Sequence, residues 1–245
     1  MNLFKTVPFA VYMFGLLARM ASMGRNIDRC RAEQNYEEEQ KWILRAENFW
    51  GANICEHFGF EIEAEYEGSL PEGPVLFVSN HEAYADIAIF VATIKDKQVG
   101  FVAKGELEKV PWYGGWISRV RSLYIKRGDA RATLRLFDEG EEWLREGFSL
   151  AIFPEGTRAK TGGMASFQRG SLRMALRTGV PIVPVTLKGT YHLFEEKGYP
   201  VPGRVKFYIH RAVETKGLDK SEQAALSEKI EAVIRGKLTE WEEAI

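Results

Sequence analysis

Cysteine is nearly absent from this chain, with only Cys30 and Cys55 among 245 residues. Both lie in the N-terminal part, without CxxC spacing and without a histidine cluster nearby. The expectation is a reducing compartment, with no metal site and no cysteine nucleophile. Net charge is nearly absent too: the formal value of -1 argues against a general nucleic-acid binder. The apolar run Val7 to Ala18 has twelve residues, whereas crossing a bilayer takes about 20. No small-x-small cleavage site follows it, so a signal peptide is not expected either. Internal repeats, low-complexity tracts and long linkers are missing.

What is present is an ordinary globular composition, 45% hydrophobic and 27% charged, long enough for one large α/β domain and an appendage. Charge is segregated along the chain. Residues 32–72 hold eleven acids and two bases, whereas 97–135 hold nine bases and three acids, and that second segment is able to face an anion. The Val7 to Ala18 run is bracketed by Lys5, Arg19, Arg25, Arg29 and Arg31. It reads as a segment lying in a membrane interface, with a core helix as a nearly equal alternative. From Glu33 to Phe58, Tyr36, Ile43, Trp50 and Ile54 recur at helical spacing among many glutamates. Residues 1–58 are therefore expected to form a two-helix membrane-associating unit.

Residues 59–245 are expected to form the α/β domain. Phe60, Ile62, Ala64 and Tyr66 alternate with glutamates, the pattern of a half-solvated strand at a sheet edge. Further strands are expected near 75–79, 99–103, 122–125, 148–152, 181–187 and 205–213. Helices are expected near 86–94, 130–146, 170–178 and 221–241. Such alternation predicts an α/β fold with a mostly parallel sheet of about seven strands covered by helices, and in such sheets ligands bind beyond the carboxyl ends of strands.

His81 falls at one of these ends. It is five residues before Asp86, so on a continuous helix the two would point about 140° apart; they meet only if the chain turns between them. If it does, they form the base and orienter of general-base catalysis. The competing reading has Asp86 merely capping the next helix and His81 as an ordinary loop histidine. Other strand ends carry Lys104, then Lys126-Arg127, then Pro154-Glu155-Gly156-Thr157-Arg158. Cations converging beside a His-Asp pair would make an anion pocket next to a base. Arg169, Arg173 and Arg177 read as a solvated stripe. Trp112 and Trp116 fit membrane-interface seating and internal packing about equally.

Asn80-His81-Glu82-Ala83-Tyr84-Ala85-Asp86 matches the N-H-x4-D motif of the glycerophospholipid acyltransferases, and Phe153-Pro154-Glu155-Gly156-Thr157-Arg158 matches their F-P-E-G-T-R motif. Tyr124-Ile125-Lys126-Arg127 resembles the family's segment ending in a binding arginine, and Val180-Pro181-Ile182-Val183-Pro184-Val185 resembles its apolar proline motif. Lys126 and Tyr124 depart from the family pattern at the third segment. The resemblance covers about residues 70–190 and implies acyl transfer from a thioester to the sn-2 hydroxyl of lysophosphatidate. It implies catalysis by His81 and Asp86, and acceptor binding by Lys104, Arg127, Glu155, Gly156, Thr157 and Arg158. The implied partners are the phospholipid bilayer, lysophosphatidic acid, and acyl carrier protein or coenzyme A as thioester. No cofactor, metal or nucleic acid is implied. The implied location is peripheral or monotopic, on the cytoplasmic face of the cell membrane. The alternatives are acylation of another lysophospholipid or of glycerol 3-phosphate, a thioesterase or lipid hydrolase, and a non-catalytic peripheral lipid-binding protein.

Overall fold

The computed structural model describes residues 3–125, 130–159, 163–168 and 170–243. Side-chain alternation along the central strands organises it. In β2 (Leu76–Ser79), Leu76 and Val78 face one apolar cluster while Phe77 faces the other. β5 (Leu150–Ile152) divides the same way, with Leu150 and Ile152 opposite Ala151. β6 (Ile182–Lys188) sends Ile182 one way and Val183, Val185 and Leu187 the other. Successive side chains leave a strand on opposite faces, so strands that are apolar at every position need cover on both sides.

The other strands are β1 (Phe60–Tyr66), β3 (Gly100–Lys104), β4 (Leu123–Ile125) and β7 (Gly203–Ile209). The seven-stranded sheet has the order β1-β7-β6-β2-β5-β3-β4. All neighbours are parallel except β6 and β7. The expected mostly parallel sheet is therefore present, with the glutamate-rich strand at its edge. The carboxyl ends of β2, β5 and β6 lie side by side.

One face is covered by α6 (Ala130–Arg145), α7 (Arg173–Thr178) and α9 (Lys220–Glu243), which contribute Leu136, Met174, Ile230 and Ile234 to its core. The helices near 130–146 and 221–241 lie as expected. α7 begins later than residue 170, because Gly170 takes φ +77 in a preceding turn. Arg173 and Arg177 pair with Asp138 and Glu141 of α6, and Arg169 lies outside the described residues.

The opposite face is covered by α1 (Leu3–Arg19), α2 (Ala21–Ala32), α3 (Tyr36–Phe58) and α4 (Ala85–Thr93). The N-terminal part thus has three helices instead of the expected two. Met20, at φ -82 and ψ -5, separates α1 from α2, although hydrogen bonds run through the junction, with Met20 N donating to Leu16 O and Gly24 N to Met20 O. Asn35 caps α3 by accepting from Glu38 N, three glutamates occupy its first turn, and Gly59 ends it at φ +70.

α3 also shares its core with the sheet, through Ile43, Ala46 and Ile54. It approaches α4 so closely at Gly51 that a Cβ there would lie 2.7 Å from Ala92 N. Among the described residues no helix is long and apolar enough to cross a membrane.

A buried charge cluster fixes α3 to the turn that joins α5 (Tyr113–Arg119) to β4. Glu39 is fully buried and accepts from Arg121 at 2.9 and 2.8 Å and from Arg31 at 2.7 Å. The Arg121 guanidinium lies 4.3 Å over the Phe148 ring. Of the basic segment, Arg121 is thereby neutralised inside the protein, whereas Arg119 pairs with Asp28 at the surface. Removing one partner of a buried pair strands the other in low dielectric. Glu39→Ala should therefore lower unfolding stability by about 3–5 kcal/mol, read from thermal or urea unfolding.

Candidate active site

β2 delivers the chain to the carboxyl edge of the sheet, and residues 80–84 turn it back into α4. The turn brings His81 and Asp86 together, with Nδ1 2.6 Å from Asp86 Oδ2. That same oxygen accepts the backbone N–H groups of Glu82 at 2.8 Å and Ala83 at 3.1 Å. Asp86 is fully buried. With only acceptors on the carboxylate, Nδ1 is assigned as the protonated nitrogen, leaving Nε2 as the basic one. Among the described residues Nε2 has no hydrogen-bond partner, and the ring retains 19% exposure. Phe153 stacks on it at 4.1 Å between centroids, which fixes its plane.

The expected helix cap differs in detail. Tyr84, not Asp86, is the residue preceding α4, and its side chain makes no capping bond. Asp86 lies in the first turn and reaches backward to the loop amides. One oxygen, Oδ2, both orients His81 and holds the turn.

Three neighbouring side chains fasten this loop to separate parts of the sheet edge. Asn80 forms a two-way pair with Leu187 of β6, donating to its carbonyl and accepting from its amide, each at 2.8 Å. Glu155 follows β5 and uses both oxygens on backbone, accepting from His81 N and Ala165 N at 2.7 Å. Burial raises its pKa above the ordinary value. Glu82 is 2% exposed and accepts from Gly189 N, Thr190 Oγ1 and Tyr191 N, at the start of α8 (Thr190–Leu193). Burial first, then the nearby Asp86 charge, push its pKa up to about 7.

The remaining expected site residues are distributed unevenly. Gly156 holds φ +66 in the turn after β5, a conformation that suits glycine. Thr157 is exposed beside it. Arg158 is at the same edge, its guanidinium 3.8 Å over the Tyr84 ring and paired with Glu195. The next residue, Ala159, donates from its amide to His81 O at 2.8 Å. Lys104, by contrast, ends β3 with β5 between it and β2; it is exposed and lies 3.4 Å from Glu106. Arg127 lies outside the described residues.

Sequence reasoning did not single out Glu82, Asn80 or Glu195. Glu82 and Asn80 flank His81 within the motif, where a polar residue reads as solvated loop. Glu195 is 111 positions from Tyr84, whose amide donates to it, and no local pattern connects the two. Among the described residues no group of three or more metal-ligating side chains occurs.

Glu82 generates a pH prediction. Its carboxyl binds a proton more tightly in the folded chain than the ordinary value of 4.5 allows, so its contribution to stability is complete below pH about 4.5 and is lost as pH rises through about 7. Unfolding midpoints measured across that window should fall with pH in the native protein. Glu82→Gln, which cannot ionise, should flatten that decline.

The family model described as Acyltransferase matches residues 61–188, which span β1 through β6 and include both motifs. A chloroplastic 1-acyl-sn-glycerol-3-phosphate acyltransferase of Arabidopsis thaliana is 32% identical over 166 residues, covering 66% of this chain and 46% of that protein. A 1-acyl-sn-glycerol-3-phosphate acyltransferase of Borreliella burgdorferi is 30% identical over 172 residues, 70% of this chain and 67% of that one. The chain spans about half the length of the Arabidopsis relative and less of a Brassica napus one, at 46% and 41%. The crystal structure of the 1-acyl-sn-glycerophosphate acyltransferase PlsC from Thermotoga maritima superposes with a TM-score of 0.73 at 26% identity, covering 95% of each chain. With the sheet order, the paired histidine and aspartate and both motifs inside the matched region, the chain belongs to the acyltransferase family.

Proposed function

We propose that this protein transfers a fatty acyl group from an acyl thioester to the sn-2 hydroxyl of lysophosphatidate, giving phosphatidate. Acyl carrier protein or coenzyme A carries the donor. The observation that carries this reading is the His81 and Asp86 pair, held at 2.6 Å beside Arg158 at one sheet edge. The names of the relatives support the same acceptor.

In the proposed step the acceptor oxygen bonds to the thioester carbonyl carbon while its proton passes to His81 Nε2. Asp86 fixes the ring tautomer and stabilises the imidazolium. Collapse of the tetrahedral species breaks the carbon–sulfur bond, and the departing thiolate takes the proton from Nε2. No acyl-enzyme is required, because the thioester is already activated and the acceptor is itself the nucleophile. Arg158 is the cation for the acceptor phosphate, with Arg127 assigned to the same task by motif and Lys104 by its place at a strand end. Glu155, Gly156 and Thr157 shape the turn that presents Arg158. A thioesterase acting on water has no use for that phosphate-binding cation.

The acceptor is a lipid, and residues 1–58 are proposed to seat the domain on the cytoplasmic face of the cell membrane. Val11, Phe14 and Trp112 support this, being 66%, 46% and 68% exposed, with the Phe14 and Trp112 rings edge-on at 6.4 Å. Arg25 and Arg119 line the adjoining groove with Leu17, Ala21 and Trp116. An apolar patch with cationic neighbours suits an anionic lipid surface.

Two variants test the assignments with a transfer assay using both donors and several lysophospholipids. His81→Ala should reduce transfer by about a thousandfold or more while vesicle binding persists. Substantial residual transfer would overturn the mechanism. Arg158→Ala should raise the KM for lysophosphatidate by about tenfold to a hundredfold, as expected for loss of a charge-assisted contact, with a smaller effect on the donor.

A further inference from the structure

The Arg158 guanidinium already holds an anion, and that anion belongs to the protein. Glu195 follows α8, and its Oε1 accepts from Arg158 Nη1 and also from Tyr84 N, the latter at 2.9 Å. One carboxylate oxygen thus bridges a guanidinium and a backbone amide in the loop between His81 and Asp86. The Tyr84 ring lies under the guanidinium at 3.8 Å, and Phe194 packs edge-on to that ring at 6.1 Å. Neither partner is deeply buried, with Arg158 31% and Glu195 19% exposed, so this contact is exchangeable with solvent ions in a way the Asp86 cluster is not.

We infer that Glu195 is a specificity-determining residue that occupies the acceptor-anion site, and that a phosphomonoester enters by replacing its carboxylate on Arg158 and on the Tyr84 amide. The inference rests on the proposed role of Arg158 as the phosphate-binding cation. Charge makes the replacement necessary: a phosphate dianion set on Arg158 beside a retained carboxylate would meet like charge at contact distance with a single cation between them. Geometry makes it possible. The segment carrying Glu195 is anchored separately at its start, where buried Glu82 holds Gly189, Thr190 and Tyr191, and Gly189 sits at φ +100. The inner attachment therefore persists when the outer one at Glu195 opens, and the loop bearing His81 keeps its fastening to α8. Because the competent state is the one with Glu195 displaced, the apparent affinity for the acceptor is reduced by the fraction of molecules in that state.

The test compares Glu195→Gln and Glu195→Asp with the native protein, titrating lysophosphatidate at fixed thioester and using the donor KM as internal reference. Glu195→Gln keeps the shape and removes the charge. It should lower the acceptor KM about two- to tenfold, the scale of a partly exposed ion pair. Inorganic phosphate should become a stronger competitive inhibitor by a similar factor. Glu195→Asp, which keeps the charge, should remain closer to the native values. A measurement free of turnover is the rise in unfolding midpoint with inorganic phosphate, expected to be larger in Glu195→Gln than in the native protein. An acceptor KM that is unchanged or raised in Glu195→Gln, while Arg158→Ala still raises it, would overturn the role of Glu195 and leave the function intact. If Arg158→Ala leaves the acceptor KM unmoved, the phosphate assignment fails and this inference fails with it.

Discussion

Asp86 Oδ2 accepts from the His81 ring and from the amides of Glu82 and Ala83, and the local architecture follows from that convergence. A fully buried carboxylate keeps its charge only where donors replace water. Here three donors come from the five residues before it, so the chain between them must curl. The curl stops β2, starts α4 and sets the His81 ring in one tautomer. The proposed base and its orienter are thus products of a backbone turn as much as of two side chains.

The motif residues around this turn act mainly on backbone. Asn80 ties it to β6, Glu155 ties it to the segment after β5, and Glu82 ties it to the start of α8. Each fastening uses a buried side chain to satisfy amides that the sheet cannot satisfy, because they lie past its last ladder bonds. The outcome is a floor tied to three separate segments, from which the His81 ring presents Nε2 without a hydrogen-bond partner among the described residues. Arg158 and Glu195 sit on the outer side of that floor, where exposure makes contacts weaker and exchangeable. The fastened part suits proton transfer, which tolerates little misplacement, and the exchangeable part suits a ligand that must come and go.

The helices over residues 3–58 are not a separate body. Ile43, Ala46 and Ile54 lie in the same core as Phe77 and Val183, and Glu39 reaches Arg121 before β4. Whatever seats the N-terminal helices therefore also fixes the orientation of the sheet edge, since little slack exists at Gly51 or at Glu39.

The sequence by itself determined the strands, their burial and the edge on which chemistry would sit. Period-two alternation marked β1 as an edge, the alternation of strands with helices marked a sheet covered on both faces, and the N-H-x4-D and F-P-E-G-T-R motifs marked His81, Asp86 and Arg158. These signals are local: each is carried by neighbours in the chain, where side-chain periodicity and turn chemistry act. The break at Met20, the backward reach of Asp86, the exposed position of Lys104 and the pairing of Arg158 with Glu195 were decided by tertiary structure. Each depends on where distant segments come to rest, and a carboxylate on a loop 37 residues from the arginine it meets has no periodic signature. Hydrophobic pattern chooses which surfaces are buried, but which polar groups then meet is set by the packing of whole elements, and only the folded chain supplies that.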